Sequence, residues 1–126
     1  PGVLCAVRNR GIYDMILWAE KTIECSHTVS EEITKNKTVH GHSYWIRLYV
    51  MSCVKNPVSV ESLQNALHTV CRILDHKHLN DWVPEGTMEA MAQWLFENLD
   101  ARFTYEIKKI EIERKSLGVG VEFVPG

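Results

Sequence analysis

Apolar and polar positions change period along this chain. Over residues 13–25 they alternate, with Ile16, Trp18 and Glu20 set against Leu17, Ala19 and Lys21. Alternation at a period of two predicts a β-strand, here apolar on both faces at first and more polar later. Residues 28–38 turn polar, with Ser30, Glu31, Glu32, Thr34, Lys35, Asn36 and Lys37, and predict a loop. A second strand runs from about residue 42 to residue 53, rich in aromatic and β-branched side chains, and Lys55-Asn56-Pro57 ends it. The period then becomes helical. Val60, Leu63, Leu67, Val70, Cys71 and Leu74 recur at i, i+3, i+4 and i+7 behind Ser59, a candidate N-cap. Thr87 caps a second helix, with Met88, Met91, Ala92, Leu95, Phe96 and Leu99 on its apolar face and Glu89 in its first turn, where a carboxylate suits the dipole. Residues 104–114 and 119–124 alternate again, and Ser116-Leu117-Gly118 between them reads as a hairpin turn.

The order is ββ-αα-ββ. It predicts an α+β fold, a four-stranded antiparallel sheet with two helices on one face. The other face stays bare unless subunits cover it, and the outer strands offer free edges for such pairing. With 126 residues, 45% of them hydrophobic, the chain reads as a single domain over 1–126, residues 1–11 being loop-like. A net charge of −2 argues against a nucleic-acid or membrane-surface binder. No apolar run approaches the roughly 20 residues of a membrane span. Cys5, Cys25, Cys53 and Cys71 are scattered with no CxxC, which reads as free thiols in a reducing cytoplasm.

Candidate chemistry gathers at His40-Gly41-His42. Side chains alternate along a strand, so both histidines share a face, and His27 closes the preceding strand. Three neutral imidazoles with an open fourth position are the arrangement of a catalytic zinc. His-x-His also suits two exposed strand histidines. Asp75-His76, after the first helix, is a carboxylate beside an imidazole, a pairing that orients the ring and stabilises its charged form. That pair also suits a helix C-terminus with a favourable dipole contact.

These segments resemble the 6-pyruvoyl-tetrahydropterin synthase and 6-carboxy-tetrahydropterin synthase family from about residue 16 to the end of the chain. Ile23-Glu24-Cys25-Ser26-His27, His40-Gly41-His42-Ser43-Tyr44, Leu74-Asp75-His76 with Leu79-Asn80-Asp81, and Gly86-Thr87-Met88-Glu89 stand in family order. The resemblance implies the tunnelling fold, its sheets joined into a barrel and its trimers stacked into a hexamer. It implies a zinc-dependent lyase acting on 7,8-dihydroneopterin triphosphate, of the kind that serves the route to deazapurines such as queuosine. It implies His27, His40 and His42 as zinc ligands, Asp75 and His76 as proton-transfer groups, and Thr87 and Met88 as pterin contacts.

Two departures concern the chemistry. The family's basic cysteine falls on Asn36, and the glutamate of another branch falls on Lys37, neither a ready base. Cys25, Glu31 and Glu32 are the candidate substitutes. The family's pterin-anchoring glutamate falls on Arg114, which has only donors. Glu113 would serve after a one-residue bulge. Otherwise the ligand carries a carboxylate or phosphate that suits an arginine fork. The departures leave two alternatives: altered chemistry on a related pterin or purine-like ligand, or a non-catalytic, zinc-stabilised pterin-binding oligomer.

Overall fold

The computed structural model describes residues 13–29 and 40–126. The elements are β1 (Met15–His27), β2 (His40–Ser52), α1 (Val60–Leu74), β3 (Lys77–His78), a 3₁₀ turn (Leu79–Asp81), α2 (Met88–Asp100), β4 (Ile107–Arg114) and β5 (Val119–Phe123). The strands form one sheet in the order β3-β1-β2-β4-β5, antiparallel except for β3, which runs parallel to β1. The α+β expectation holds with one correction: among the described residues the sheet has five strands rather than four. The added strand is residues 77–78, pairing with Cys25 and Ser26. Two residues carry no period, so tertiary pairing alone creates it.

Alternation decides which face is buried. Ile23, Cys25 and His27 on β1, Tyr44, Ile46, Leu48 and Val50 on β2, and Ile107, Ile110 and Ile112 on β4 are all buried. They share one face, and α1 and α2 pack on it through Leu63, Leu67, Val70, Leu74, Met91, Leu95 and Leu99. Each fully buried aliphatic side chain contributes about 1.5–3 kcal/mol, so a register slip would be costly. The β2–β4 register shifts between Tyr49 and Val50, and this bulge returns Ile107 to the core face beside Ile110 and Ile112.

Both helices start where the sequence predicts. Ser59 Oγ accepts from the Ser62 amide at 3.2 Å, and Thr87 Oγ1 accepts from the Ala90 amide at 3.2 Å. Such caps contribute about 1 kcal/mol each. Val60 departs from the expected apolar face: in the first turn of α1 it lies exposed. Phe96 is half-buried and packs its ring 5.1 Å from that of Phe123 on β5.

Among the described residues, the opposite face of the sheet carries no helix. Arg47 lies 3.9 Å over the ring of the half-exposed Trp18 and donates to Glu20 at 2.7 Å. Among the described residues, β5 and the first ten residues of β1 have an outer edge with no strand beside it.

The cysteine expectation is corrected in part. Cys25 and Cys71 are free and buried, but Cys53 is disulfide-bonded, and Cys5 lies outside the described residues. The free-thiol argument for a reducing cytoplasm therefore lapses. Among the described residues, no helix is long and apolar enough to cross a membrane.

Candidate functional site

The ends of β1 and β2 bring the histidines together. His27 stands across the ladder from His40, and Cys25 from His42. The His27 and His42 rings meet edge to face, 4.6 Å between centroids and 78° between planes. Tyr44, two residues deeper on β2, sets its ring perpendicular to both, 6.4 Å from His27 and 6.1 Å from His42. Among the described side chains no three His, Cys, Asp or Glu groups converge on a metal position. His27 and His42 supply two, and His40 is described at the backbone only.

The second nitrogen of each ring tests the fit to a metal. His27 Nδ1–H donates to the Gly86 carbonyl at 2.8 Å, which leaves the lone pair on Nε2. Orientation of that kind by a backbone carbonyl is usual for a metal-bound imidazole. His42 differs. Arg114 Nη2 donates to His42 Nδ1, so a neutral ring carries its proton on Nε2. Both Nε2 atoms are buried. His27 thus fits a metal as it stands, and His42 does not.

Gly86 can reach His27 because a clamp holds its turn. The Thr28 amide donates to Asn80 Oδ1 at 2.8 Å, and Asn80 Nδ2 donates to the carbonyls of Thr28 at 2.7 Å and Pro84 at 3.0 Å. Gly86 has φ 69°, and a Cβ there would lie 2.5 Å from the Thr28 carbonyl oxygen. Sequence reasoning gave neither residue a role. The signal was a glycine just before a capped helix, with an asparagine six positions earlier.

The Asp75-His76 pair forms as expected. Asp75 Oδ1 lies 3.0 Å from His76 Nδ1 and accepts from the Glu24 amide at 2.9 Å. The His76 amide donates to the Glu24 carbonyl at 2.6 Å, and His76 takes φ 61°. The chain leaving α1 is thereby fastened to the edge of β1, and the His76 side chain stays 78% exposed. A cavity of about 380 Å³ lies between His76 and the histidine strands, with Glu24, Ser26, His42, Ser43, His76 and Lys77 on its walls. Ser43 Oγ donates to Glu24 at 2.8 Å, and Ser26 Oγ bonds His78 Nδ1 at 3.0 Å.

The candidate base substitutes fare differently. Cys25 Sγ–H donates to the Leu74 carbonyl at 3.2 Å. Burial first, then the carboxylates of Asp75 and Glu24, push its thiol up to about 12. Its geometry is that of a structural thiol, which weighs against it among the three candidate substitutes for the missing cysteine. Glu31, Glu32, Asn36 and Lys37 lie outside the described residues. On β4, Glu113 pairs with Trp45 in an unbroken register and falls on the face away from Ile112. The bulge that would have turned it inward sits at Tyr49/Val50 instead. Arg114 is the residue that reaches His42. Thr87 is engaged as the cap of α2, and Met88 packs against the core.

This arrangement has counterparts. The family described as 6-pyruvoyl tetrahydropterin synthase matches residues 16–123. A dihydroneopterin monophosphate aldolase of Pyrococcus furiosus is 26% identical over 104 residues, covering 81% of this chain and 87% of the relative. A 6-carboxy-5,6,7,8-tetrahydropterin synthase of Synechocystis is 27% identical over 108 residues, covering 77% and 84%. In structure, the 6-pyruvoyl tetrahydropterin synthase of Caenorhabditis elegans superposes with a TM-score of 0.79 at 17% identity, covering 90% of this chain and 96% of that one. The chain therefore has the tunnelling fold, belongs to the 6-pyruvoyl tetrahydropterin synthase family, and is an enzyme of its lyase type.

Proposed function

We propose that this protein is a pterin-forming lyase acting on a phosphorylated dihydroneopterin, the 7,8-dihydro triphosphate or its monophosphate. The observation that carries the reading is the cavity lined by both His42 and His76, with Asp75 bonded to the His76 ring behind it. The two curated relatives support it, one named for a carbon–carbon cleavage on the monophosphate and one for a tetrahydropterin synthesis.

In this reading His76 moves protons. With Nδ1–H on Asp75, Nε2 takes a proton from a side-chain hydroxyl of the substrate, and the carboxylate holds the imidazolium that results. The alkoxide becomes a carbonyl as the adjacent carbon–carbon bond breaks, and the imidazolium returns its proton to the carbon that keeps the electron pair. Thr87 and Met88 offer backbone groups to the ring system. Arg114 suits a carboxylate or phosphate better than a donor edge. We also propose that a zinc ion is held by His27, His40 and His42, where it would act as a Lewis acid on the substrate oxygens. His42 as it stands does not fit that ion, so no step is assigned to it. Among the described residues one sheet face has no helix on it and two edges have no strand beside them, which supports a symmetric oligomer, a hexamer built as a dimer of trimers.

Incubation of the purified protein with 7,8-dihydroneopterin triphosphate and, separately, the monophosphate tests the reading, with products followed by mass spectrometry. Loss of a side-chain fragment or of triphosphate is expected. Return of both compounds unchanged after zinc supplementation would overturn it. Arg114 favours a second reading in one respect: turnover only on a ligand with an added carboxylate would mark altered chemistry.

A further inference from the structure

We propose that Arg114 gates the histidine site: its hydrogen bond to His42 and a metal ion on His42 exclude one another, and an oxyanion that draws the guanidinium away favours the metal. The inference rests on the proposed metal, not on the lyase reading.

Arginine has five donors and no acceptor, so the bond from Arg114 Nη2 requires the lone pair of His42 Nδ1. The neutral ring must then carry its proton on Nε2. That nitrogen is buried, on a ring 4.6 Å from the His27 ring, whose own Nε2 is buried as well. A metal bridging the two rings needs both Nε2 lone pairs. His27 offers one, because Nδ1–H is given to Gly86. His42 offers one only if its proton moves to Nδ1, and Nδ1 then repels the Arg114 donor. A divalent ion would also set two like charges close together.

Arg114 can leave without disturbing the sheet. Its carbonyl accepts from the amides of Leu117 and Gly118, so the hairpin turn anchors the backbone whichever way the side chain points. Its Nε is buried and has no hydrogen-bond partner among the described residues. A buried unmet donor costs about 1–3 kcal/mol, which favours any arrangement that satisfies it. A phosphate or carboxylate offers two oxygens to Nε and Nη together. Such a group on a ligand would capture the guanidinium and release His42. By linkage, metal and oxyanion then bind with positive coupling.

Cobalt(II) titration of the full chain, read by visible absorption with chelator competition, tests this. Arg114→Gln replaces the donor with an amide whose oxygen accepts from Nδ1–H. It should tighten cobalt binding on the order of 10–100-fold, the usual reach of a residue hydrogen-bonded to a ligand histidine. Sulfate should tighten cobalt binding by wild type and leave Arg114→Gln unchanged. ¹⁵N spectra of histidine-labelled, metal-free wild type should show His42 protonated on Nε2, a readout that does not depend on any variant folding. Cobalt affinity in Arg114→Gln indistinguishable from wild type, with native circular dichroism, would overturn the gate. So would a His42 proton on Nδ1 in the metal-free protein, an equal sulfate effect in both proteins, or no cobalt binding by either. Turnover on the dihydroneopterin phosphates is measured separately, and its outcome can differ from all of these.

Discussion

At the scale of single residues, His76 carries two burdens. Its backbone is left-handed at φ 61°, a conformation that costs a non-glycine residue about 1–3 kcal/mol. Its ring is held out beside Asp75. Alanine keeps the strain and removes the imidazole, whereas glycine removes both. We expect His76→Ala and His76→Gly each to lower turnover by about 10²–10⁴-fold, the usual weight of a proton-transfer group. His76→Gly should melt higher than His76→Ala. Full turnover in either variant would take this pair out of the chemistry. The buried thiols give a pH prediction. Burial raises Cys25 and Cys71 from 9.0 to about 12, so the folded state keeps protons that the unfolded chain releases. Their contribution is complete below pH 9.0 and is lost as pH rises toward about 12. The urea midpoint should fall over that range, and fall less steeply in Cys71→Val; equal slopes would contradict it. Much of this level was legible in the sequence. His27, His42, Asp75 and His76 stand in short motifs whose spacing fixes a strand face or a neighbour contact. Arg114 was visible as a wrong charge at a family position, but its bond to His42 spans 72 positions, and only the β2–β4 register creates it.

At the scale of elements, periodicity and caps located both helices and the long strands, because burial on one face leaves a period in the sequence. The short β3 left none. It exists because the Glu24 backbone bonds Asp75 and His76, and those bonds lay the chain along β1. The turn before α2 was likewise legible only as a breaker. Its clamp, Asn80, bonds the Thr28 backbone twice and Pro84 once. Asn80→Ala should destabilise the fold by about 1–3 kcal/mol, the cost of leaving such backbone groups unmet. Hydrogen exchange locates the damage: the Thr28 amide should lose protection while amides in the middle of β2 keep theirs. Unchanged protection at Thr28 would show that another contact holds the turn.

At the scale of the whole molecule, one sheet face bears helices and the other bears half-exposed Trp18 under Arg47, with Ile16 also half-exposed beside it. Two strand edges have no neighbour among the described residues. Open edges beside a face that no described helix covers are surfaces that copies of one chain can share. Light scattering at micromolar concentration should give a multiple of the 14.5 kDa chain mass, with six copies expected. A stable monomer would refute this. The open edge of β1 runs into the segment that carries Asp75 and His76. The pair proposed to move protons is therefore fastened to the same strand whose outer edge has no neighbour among the described residues. In an assay this ties catalysis to occupancy of that side: specific activity should fall on serial dilution and recover on reconcentration, with a lag set by reassembly.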